Sequence, residues 1–219
     1  MRKVIVGAMV SLDGVMQAPG GPDEDPVSGF EYGGWVWPLF DETLGEALDE
    51  MFSRPFDLLL GRKTYDIFAA YWPYVEPDNS IGPLFDRVNK YVATRDPERK
   101  LEWQNSHRLG PDAVAAVKKL KEEDGPDLLT QGSTVLIKAL FENGLVDEIN
   151  MSVFPVVLGR GKRLFGEDSM PATWKLVSSK TSGSGVTVNR YVRDGEVATG
   201  SFALVEPTEA ELERRRNLT

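Results

Sequence analysis

The chain has 219 residues, a net charge of −9, 41% hydrophobic residues, no cysteine and a single histidine. That charge argues against a nucleic-acid backbone or an anionic membrane surface as the main partner. The absence of cysteine excludes disulfides, thiolate metal sites and cysteine nucleophiles, and a lone His107 excludes a multi-histidine metal site. No metal is expected, and the composition suits a cytoplasmic protein. No stretch is long enough to span a membrane as a helix.

Val4-Ile5-Val6 and Ala8-Met9-Val10 form an apolar run, which predicts a strand buried on both faces. Residues 17–34 are rich in Gly, Pro and acid and read as a long irregular loop. A helix is predicted from Asp41, a good N-cap, with Phe40, Leu44, Ala47, Leu48 and Met51 along one face until Pro55. Phe56–Leu60 reads as a second buried strand. Gly61 opens a helix carrying Tyr65, Phe68 and Trp72, stopped by Pro73. A short helix near Leu84–Val88 leads to a strand at Lys90–Thr94, and Leu101–Trp103 reads as a brief strand. An amphipathic helix follows at Asp112–Glu123, then a strand at Asp127–Thr130 and a helix at Ser133–Glu142, closed by Asn143-Gly144. The last third reads as a meander: Glu148–Val157, Trp174–Thr181, Val186–Arg193 and an edge strand at Val197–Leu204. Thr208–Arg216 reads as a charged, exposed helix. Asp147-Glu148 reads as solvated or at a subunit contact. This order implies a mostly parallel sheet with antiparallel strands at one edge.

Two turns share one physical form. Gly61-Arg62-Lys63-Thr64 and Gln131-Gly132-Ser133-Thr134 each follow an apolar strand and open a helix. Free N–H groups and the helix dipole at such a start attract phosphate. Arg62 and Lys63 add charge, and the hydroxyls add donors. Thr94-Arg95, after a third strand, offers another hydroxyl and cation. Ligands of a parallel sheet bind beyond the carboxyl ends of its strands, where all three clusters fall. A strand-linked Gly-x-Gly-x-x-Gly is absent, so standard Rossmann binding is not supported. Taken singly, Ser133 reads as a helix cap and Arg62 as a surface ion pair. Asp13 and Asp41 are the acids nearest the expected pocket and the candidate catalytic proton donors, although an Asp-Gly turn and a helix cap are the commoner uses of such residues. Trp35, Phe68 and Tyr71 could stack on a flat heterocycle, although core packing is the commoner fate of such rings.

Several segments together resemble the dihydrofolate-reductase-like fold, and within it stand-alone relatives of the reductase domain of the bifunctional riboflavin-biosynthesis deaminase-reductase. They are Ser-Leu-Asp-Gly-Val-Met at 11–16, Leu-Leu-Leu-Gly-Arg-Lys-Thr-Tyr at 58–65 and Tyr-Val-Ala-Thr-Arg at 91–95. Thr-Gln-Gly-Ser-Thr-Val-Leu-Ile-Lys-Ala-Leu at 130–140 is the most specific. Gly-Leu-Val-Asp-Glu at 144–148 and Pro-Val-Val-Leu-Gly-Arg-Gly-Lys-Arg-Leu-Phe at 155–165 extend it.

The resemblance implies a three-layer α/β fold over residues 1–193, with 194–219 as an extension carrying an edge strand and a charged helix. It implies NADPH as cofactor. Gly61, Arg62, Lys63 and Thr64 would bind its phosphates, and Thr94 and Arg95 its 2′-phosphate. Gln131, Gly132, Ser133 and Thr134 would cradle the pyrophosphate, and Gly14, Val15 and Met16 would border the nicotinamide. It also implies a homodimer through the C-terminal strands. Dihydrofolate reductases carry a glycine pair where this chain has Gln131-Gly132, and a helix acid where it has Asp41-Glu42-Thr43. Three readings stay open. The first is a reductase of a small planar heterocycle or related carbonyl or imine compound. The second is a non-catalytic nucleotide-binding or structural homodimer. The third is reduction of dihydrofolate or of the riboflavin-pathway aminopyrimidine.

Overall fold

A computed structural model describes residues 1–76, 78–166, 169–202 and 206–218. Among the described residues eight strands form one sheet: β1 (Val4–Ser11), β2 (Phe56–Gly61), β3 (Lys90–Ala93), β4 (Ser106–Arg108), β5 (Asp127–Gln131), β6 (Glu148–Phe154), β7 (Trp174–Thr181) and β8 (Thr187–Arg193). Their order is β4-β3-β2-β5-β1-β6-β8-β7. The pairings from β4 through to β6 are parallel, and β8 and β7 close the edge antiparallel. The central strands carry apolar side chains on both faces because helices cover both.

Among the described residues six α-helices accompany the sheet: α1 (Glu42–Phe52), α2 (Arg62–Ala69), α3 (Gly82–Arg87), α4 (Ala113–Glu122), α5 (Thr134–Glu142) and α6 (Glu209–Arg216). On one face, Val4, Val6, Leu59 and Leu128 pack against Val117 and Leu120 of α4 and Leu136, Ile137 and Leu140 of α5. On the other, Ile5, Leu58, Leu60 and Leu129 pack against Tyr65 of α2 and Phe85 of α3, with Met51 and Phe52 of α1 beside them. The result is the expected three-layer α/β fold with antiparallel strands at one edge.

Three local expectations change. The short strand lies at Ser106–Arg108, not Leu101–Trp103, because Trp103 is drawn into the core, where its N–H donates to the Tyr65 hydroxyl at 3.1 Å. Residues 197–202 form no strand, and Ala203 and Leu204 lie outside the described residues. Glu148 is neither solvated nor at an open surface. It is fully buried and ion-paired to Arg54 at 2.5 Å and Arg190 at 3.0 Å. The loop over residues 17–34 is irregular but tightly held. The Gln17 amide donates to the carbonyls of Asp25 and Val27, and the Trp35 indole N–H donates to the Gln17 carbonyl.

Candidate cofactor crevice

β2 and β5 are parallel neighbours, and each runs directly into a helix. α2 packs on one face of the sheet and α5 on the other. Chains that leave adjacent parallel strands to opposite faces open a crevice at the carboxyl ends of those strands. Gly61, Arg62, Lys63 and Thr64 form one wall of that crevice, and Gln131, Gly132, Ser133 and Thr134 form the other.

The two walls are latched together. The Ser133 Oγ accepts the Gly61 N–H at 2.8 Å, and the Thr64 Oγ1 accepts the Ser133 N–H at 2.8 Å. Gly132 and Ser133 are both left-handed, with φ of 63° and 57°. Such a conformation costs a non-glycine residue roughly 1–2 kcal/mol, so the latch holds a strained turn in place. A Cβ on Gly132 would lie 3.2 Å from the Thr64 Cγ2, tighter than ordinary contact. Ser133 is thus an interloop tie and not a side-chain cap of its own helix.

That redirection leaves the start of α5 without a side-chain cap, and Gly61, which has no side chain, leaves the start of α2 without one. α1, α4 and α6 each receive a side-chain cap, from Asp41, Asp112 and Thr208. α2 and α5 receive none. Their first-turn N–H groups converge on one crevice as unspent donors, with the positive ends of two helix dipoles behind them. A phosphate-bearing ligand is the chemistry such an arrangement fits.

Cations flank the α2 side. Arg62 and Lys63 are exposed, and Arg62 pairs with Asp66 at 2.8 Å. Arg95 is exposed, and among the described residues neither Lys63 nor Arg95 has an ion-pair partner. Thr94 is buried, and its Oγ1 accepts the Asp96 N–H at 3.2 Å, which shapes the turn that carries Arg95. Gly7, inside β1, marks a close approach of neighbouring side chains. A Cβ there would meet the Met51 Sδ at 3.1 Å and the Gln131 Cγ at 3.2 Å, so the Gln131 side chain lies across Gly7 toward α1. The available signal was a glycine inside a buried strand, a mark of close approach.

The segment bordering the crevice beyond β1 is rigid. Val15 and Met16 are buried, Val15 bridges Arg163, and Met16 N–H donates to the Lys162 carbonyl at 2.8 Å. Gly14 takes φ of 80°. A cleft of about 160 Å³ lies here, lined by Val10, Ser11, Leu12, Gly14, Met151, Val153, Leu164 and Phe165. Asp13 is a structural clamp: it accepts from the Ser11 hydroxyl at 2.7 Å and from the N–H groups of Leu158 and Gly159 at 3.1 and 2.9 Å. The Ser11 hydroxyl first, then those N–H groups, hold its pKa down to about 2. Asp41 caps α1 by accepting the Leu44 N–H at 3.3 Å, and also meets Ser184 of the β7–β8 turn. Against the opposing effect of desolvation, these bonds keep its pKa below the usual value. As catalytic acids both expectations therefore give way: each carboxylate is committed to structure in its ionised form.

The aromatic expectations divide. Trp35 is buried and meets Phe154 edge-on at 5.3 Å. Phe68 stacks on Phe85 at 5.8 Å within the core. Trp35 is taken up by this packing, whereas Phe68 is only half-buried, with one face on Phe85. Tyr71 is exposed and leans on Trp72.

With this geometry in place, the comparison with known proteins is decisive on one point: residues 2–188 match the model of the RibD C-terminal domain. The chain belongs to that family. It is 29% identical over 197 residues to the uncharacterized protein YyaP of Bacillus subtilis (strain 168), covering 89% of this chain and 96% of that one. Its fold is like that of a pyrimidine reductase-like protein from Corynebacterium diphtheriae, with a TM-score of 0.60, 13% identity and coverage of 89% and 93%. It is also like a dihydrofolate reductase from Enterococcus faecalis solved with NADP(H), with a TM-score of 0.54, 14% identity and coverage of 88% and 96%. The dihydrofolate-reductase-like fold is thereby established, and membership of the RibD C-terminal domain family supports a reductase-type function. Among the described residues no helix is long and apolar enough to cross a membrane.

Proposed function

We propose that this chain is an NADPH-dependent reductase of a small planar heterocycle or related carbonyl or imine compound. The observation that carries the reading is the pair of uncapped helix starts of α2 and α5, latched face to face at the carboxyl ends of β2 and β5. When bound, the cofactor supplies a hydride. The chain's own part is to hold phosphates on the first-turn N–H groups, to orient the ligand over Gly7 and Gln131, and to keep the β1 exit fixed through Asp13. Gly61, Arg62, Lys63, Thr64, Gly132, Ser133 and Thr134 are the proposed grip, with Thr94 and Arg95 on its flank.

Neither Asp13 nor Asp41 is a proton donor in this reading, so the proton that completes reduction comes from solvent. Fluorescence titration with NADPH tests the grip. Saturable binding is expected for the wild type, with about tenfold or greater weakening in Ser133→Ala, since the Gly61 N–H then loses its acceptor and the strained turn its tie. Wild type without saturable NADPH binding overturns the proposal. The rival reading, a nucleotide-binding protein without chemistry, draws on the lack of a poised acid among the described residues; binding without NADPH oxidation across a panel of heterocycles, aldehydes and imines would favour it. We also propose a homodimer through the C-terminal strands, since β7 is the sheet edge and Leu176 and Val177 stand half-exposed on it. Sedimentation of the full chain checks it.

A further inference from the structure

The crevice continues past the phosphate grip on one face of the sheet. α1 and α2 both pack on that face, where Gly7 of β1 and Gln131 of β5 are register partners. A second ligand meeting the nucleotide there lies between residues 12–53, the β1 exit and α1, and residues 64–86, α2 and the connection to β3. The first segment holds ten carboxylates and the second four, yet neither holds any of the chain's 25 lysines and arginines or its histidine. Cations that reach these segments from elsewhere are spent: Lys162 pairs with Asp25, Arg163 with Asp13 and Lys180 with Glu50. Glu31, Glu42, Glu46 and Asp49 are exposed and have no ion-pair partner among the described residues. The same segments carry five exposed rings, Tyr32, Trp37, Phe40, Tyr71 and Tyr74, whereas among the described residues Phe165 and Phe202 are the only such rings elsewhere.

We propose that the second ligand of the crevice is a flat aromatic cation that carries no phosphate or carboxylate. The inference rests on the reductase reading above and narrows its substrate class. An anion taken out of water needs a cation or converging donors, and these two segments supply no cation. Carboxylates of one sign around a cleft repel a further anion and raise the local concentration of a cation. Asp13 and Asp41 are held in the ionised form by their hydrogen bonds, so the β1 exit and the start of α1 keep fixed negative charge. Exposed tryptophan and tyrosine faces add attraction for a cation within about 6 Å of the ring. A neutral ring uses only the aromatic part of this setting, whereas a cation uses both parts. The contrast with the grip is sharp, since Lys63 and Arg95 stand exposed there without an ion-pair partner among the described residues.

The test is calorimetric titration of the full chain, in saturating NADPH at low salt and neutral pH, with one flat bicyclic ring in three charge states: N-methylquinolinium, quinoline and quinoline carboxylate. The cation is expected to bind about tenfold or more tightly than the anion, with quinoline between them, and the gap is expected to close as salt rises. Equal affinities, a tighter anion, or a cation that fails to bind at millimolar concentration overturns the proposal. Glu31→Lys combined with Glu46→Lys is expected to weaken the cation about fivefold. Glu122→Lys combined with Glu123→Lys makes the same change of net charge at the end of α4, on the other face of the sheet, and is expected to leave the cation within about twofold. Equal loss in the two double variants would assign the preference to net charge alone and overturns the proposal. Tyr71→Leu keeps an apolar side chain and is expected to weaken the cation about threefold and quinoline less. A chain that binds NADPH but shows no preference among the three rings sinks this inference and leaves the reductase reading standing. A chain without saturable NADPH binding, in a parallel titration with no ring present, sinks both.

Discussion

The two ends of the parallel strands are built on opposite plans. At the amino ends, polar groups are closed on one another. Arg2 is buried against Asp57 at 2.5 Å and donates to the Pro126 carbonyl. Asp57 also accepts from the backbone and side-chain N–H groups of Asn89. Asp147 accepts the Val4 N–H and pairs with Lys121, and Glu148 sits between Arg54 and Arg190. At the carboxyl ends, the donors of α2 and α5 are left open, Lys63 and Arg95 have no ion-pair partner among the described residues, and two successive residues are left-handed. Buried charge without a partner is costly, so closed networks fix the register of the sheet. Open donors and strained turns add nothing to stability and are kept where a ligand completes them. Stability and binding should therefore separate along the strand direction.

The largest expected effect probes the closed end. Arg54→Ala combined with Arg190→Ala leaves Glu148 buried and unpaired, and should cost about 3–5 kcal/mol. The measurement is urea unfolding, read beside NADPH affinity of the fraction that remains folded. Affinity is expected to hold. A loss of affinity at unchanged stability would break the division between the two ends.

A second probe of the closed end is pH. Lys90 is fully buried, with Nζ donating to the carbonyls of Asp86 and Val88 and lying 4.3 Å from the Trp103 ring centroid. Desolvation lowers its pKa to about 8, opposed by the Asp86 charge. A folded pKa below the unfolded value means that the unfolded chain binds the proton more tightly. Stability contributed by this group therefore rises as pH climbs from about 8 toward the unfolded value of about 10.4, by roughly 2 kcal/mol. Lys90→Met should flatten the rise in thermal melts between those pH values. A wild-type curve that already falls steadily over that window would place Lys90 in a wetter setting than its packing indicates.

How much of this was legible in the sequence follows the same division. The strand-to-helix turns were readable because an apolar run, a glycine and a hydroxyl-rich helix start are local signals. The caps at Asp41 and Thr208 were readable for the same reason, whereas Asp112, read as the first helical residue, is the cap of α4. What escaped was every polar group whose partner is remote. Glu148 reads as a solvated strand start, yet its partners Arg54 and Arg190 lie 94 and 42 residues away. The Ser133 hydroxyl reads as a cap, yet it serves Gly61, 72 residues earlier. Trp103 reads as strand because its pull toward Tyr65 is tertiary. Arg99 reads as one charge among many until Asp66 and Arg108 fix where it goes.

Asp13 is the exception at the open end, a closed group beside the proposed reaction site, and it gives the smallest expected effect. A carboxyl whose pKa is about 2 is protonated in on the order of one molecule in 10⁵ at pH 7. The Ser11 hydroxyl, the Leu158 and Gly159 N–H groups and the Arg163 guanidinium all favour its ionised form, which argues against a proton-donor role. Asp13→Asn retains the shape of the side chain and one acceptor oxygen. It should lower stability by under about 1 kcal/mol and turnover only slightly, through a looser β1 exit. The shape of the rate profile from pH 5 to 8 is expected to match the wild type, since no group that titrates there has been removed. An acid limb present in the wild type and missing from Asp13→Asn would return Asp13 to the chemistry and erase the contrast between a clamp at this position and the donors left open around it.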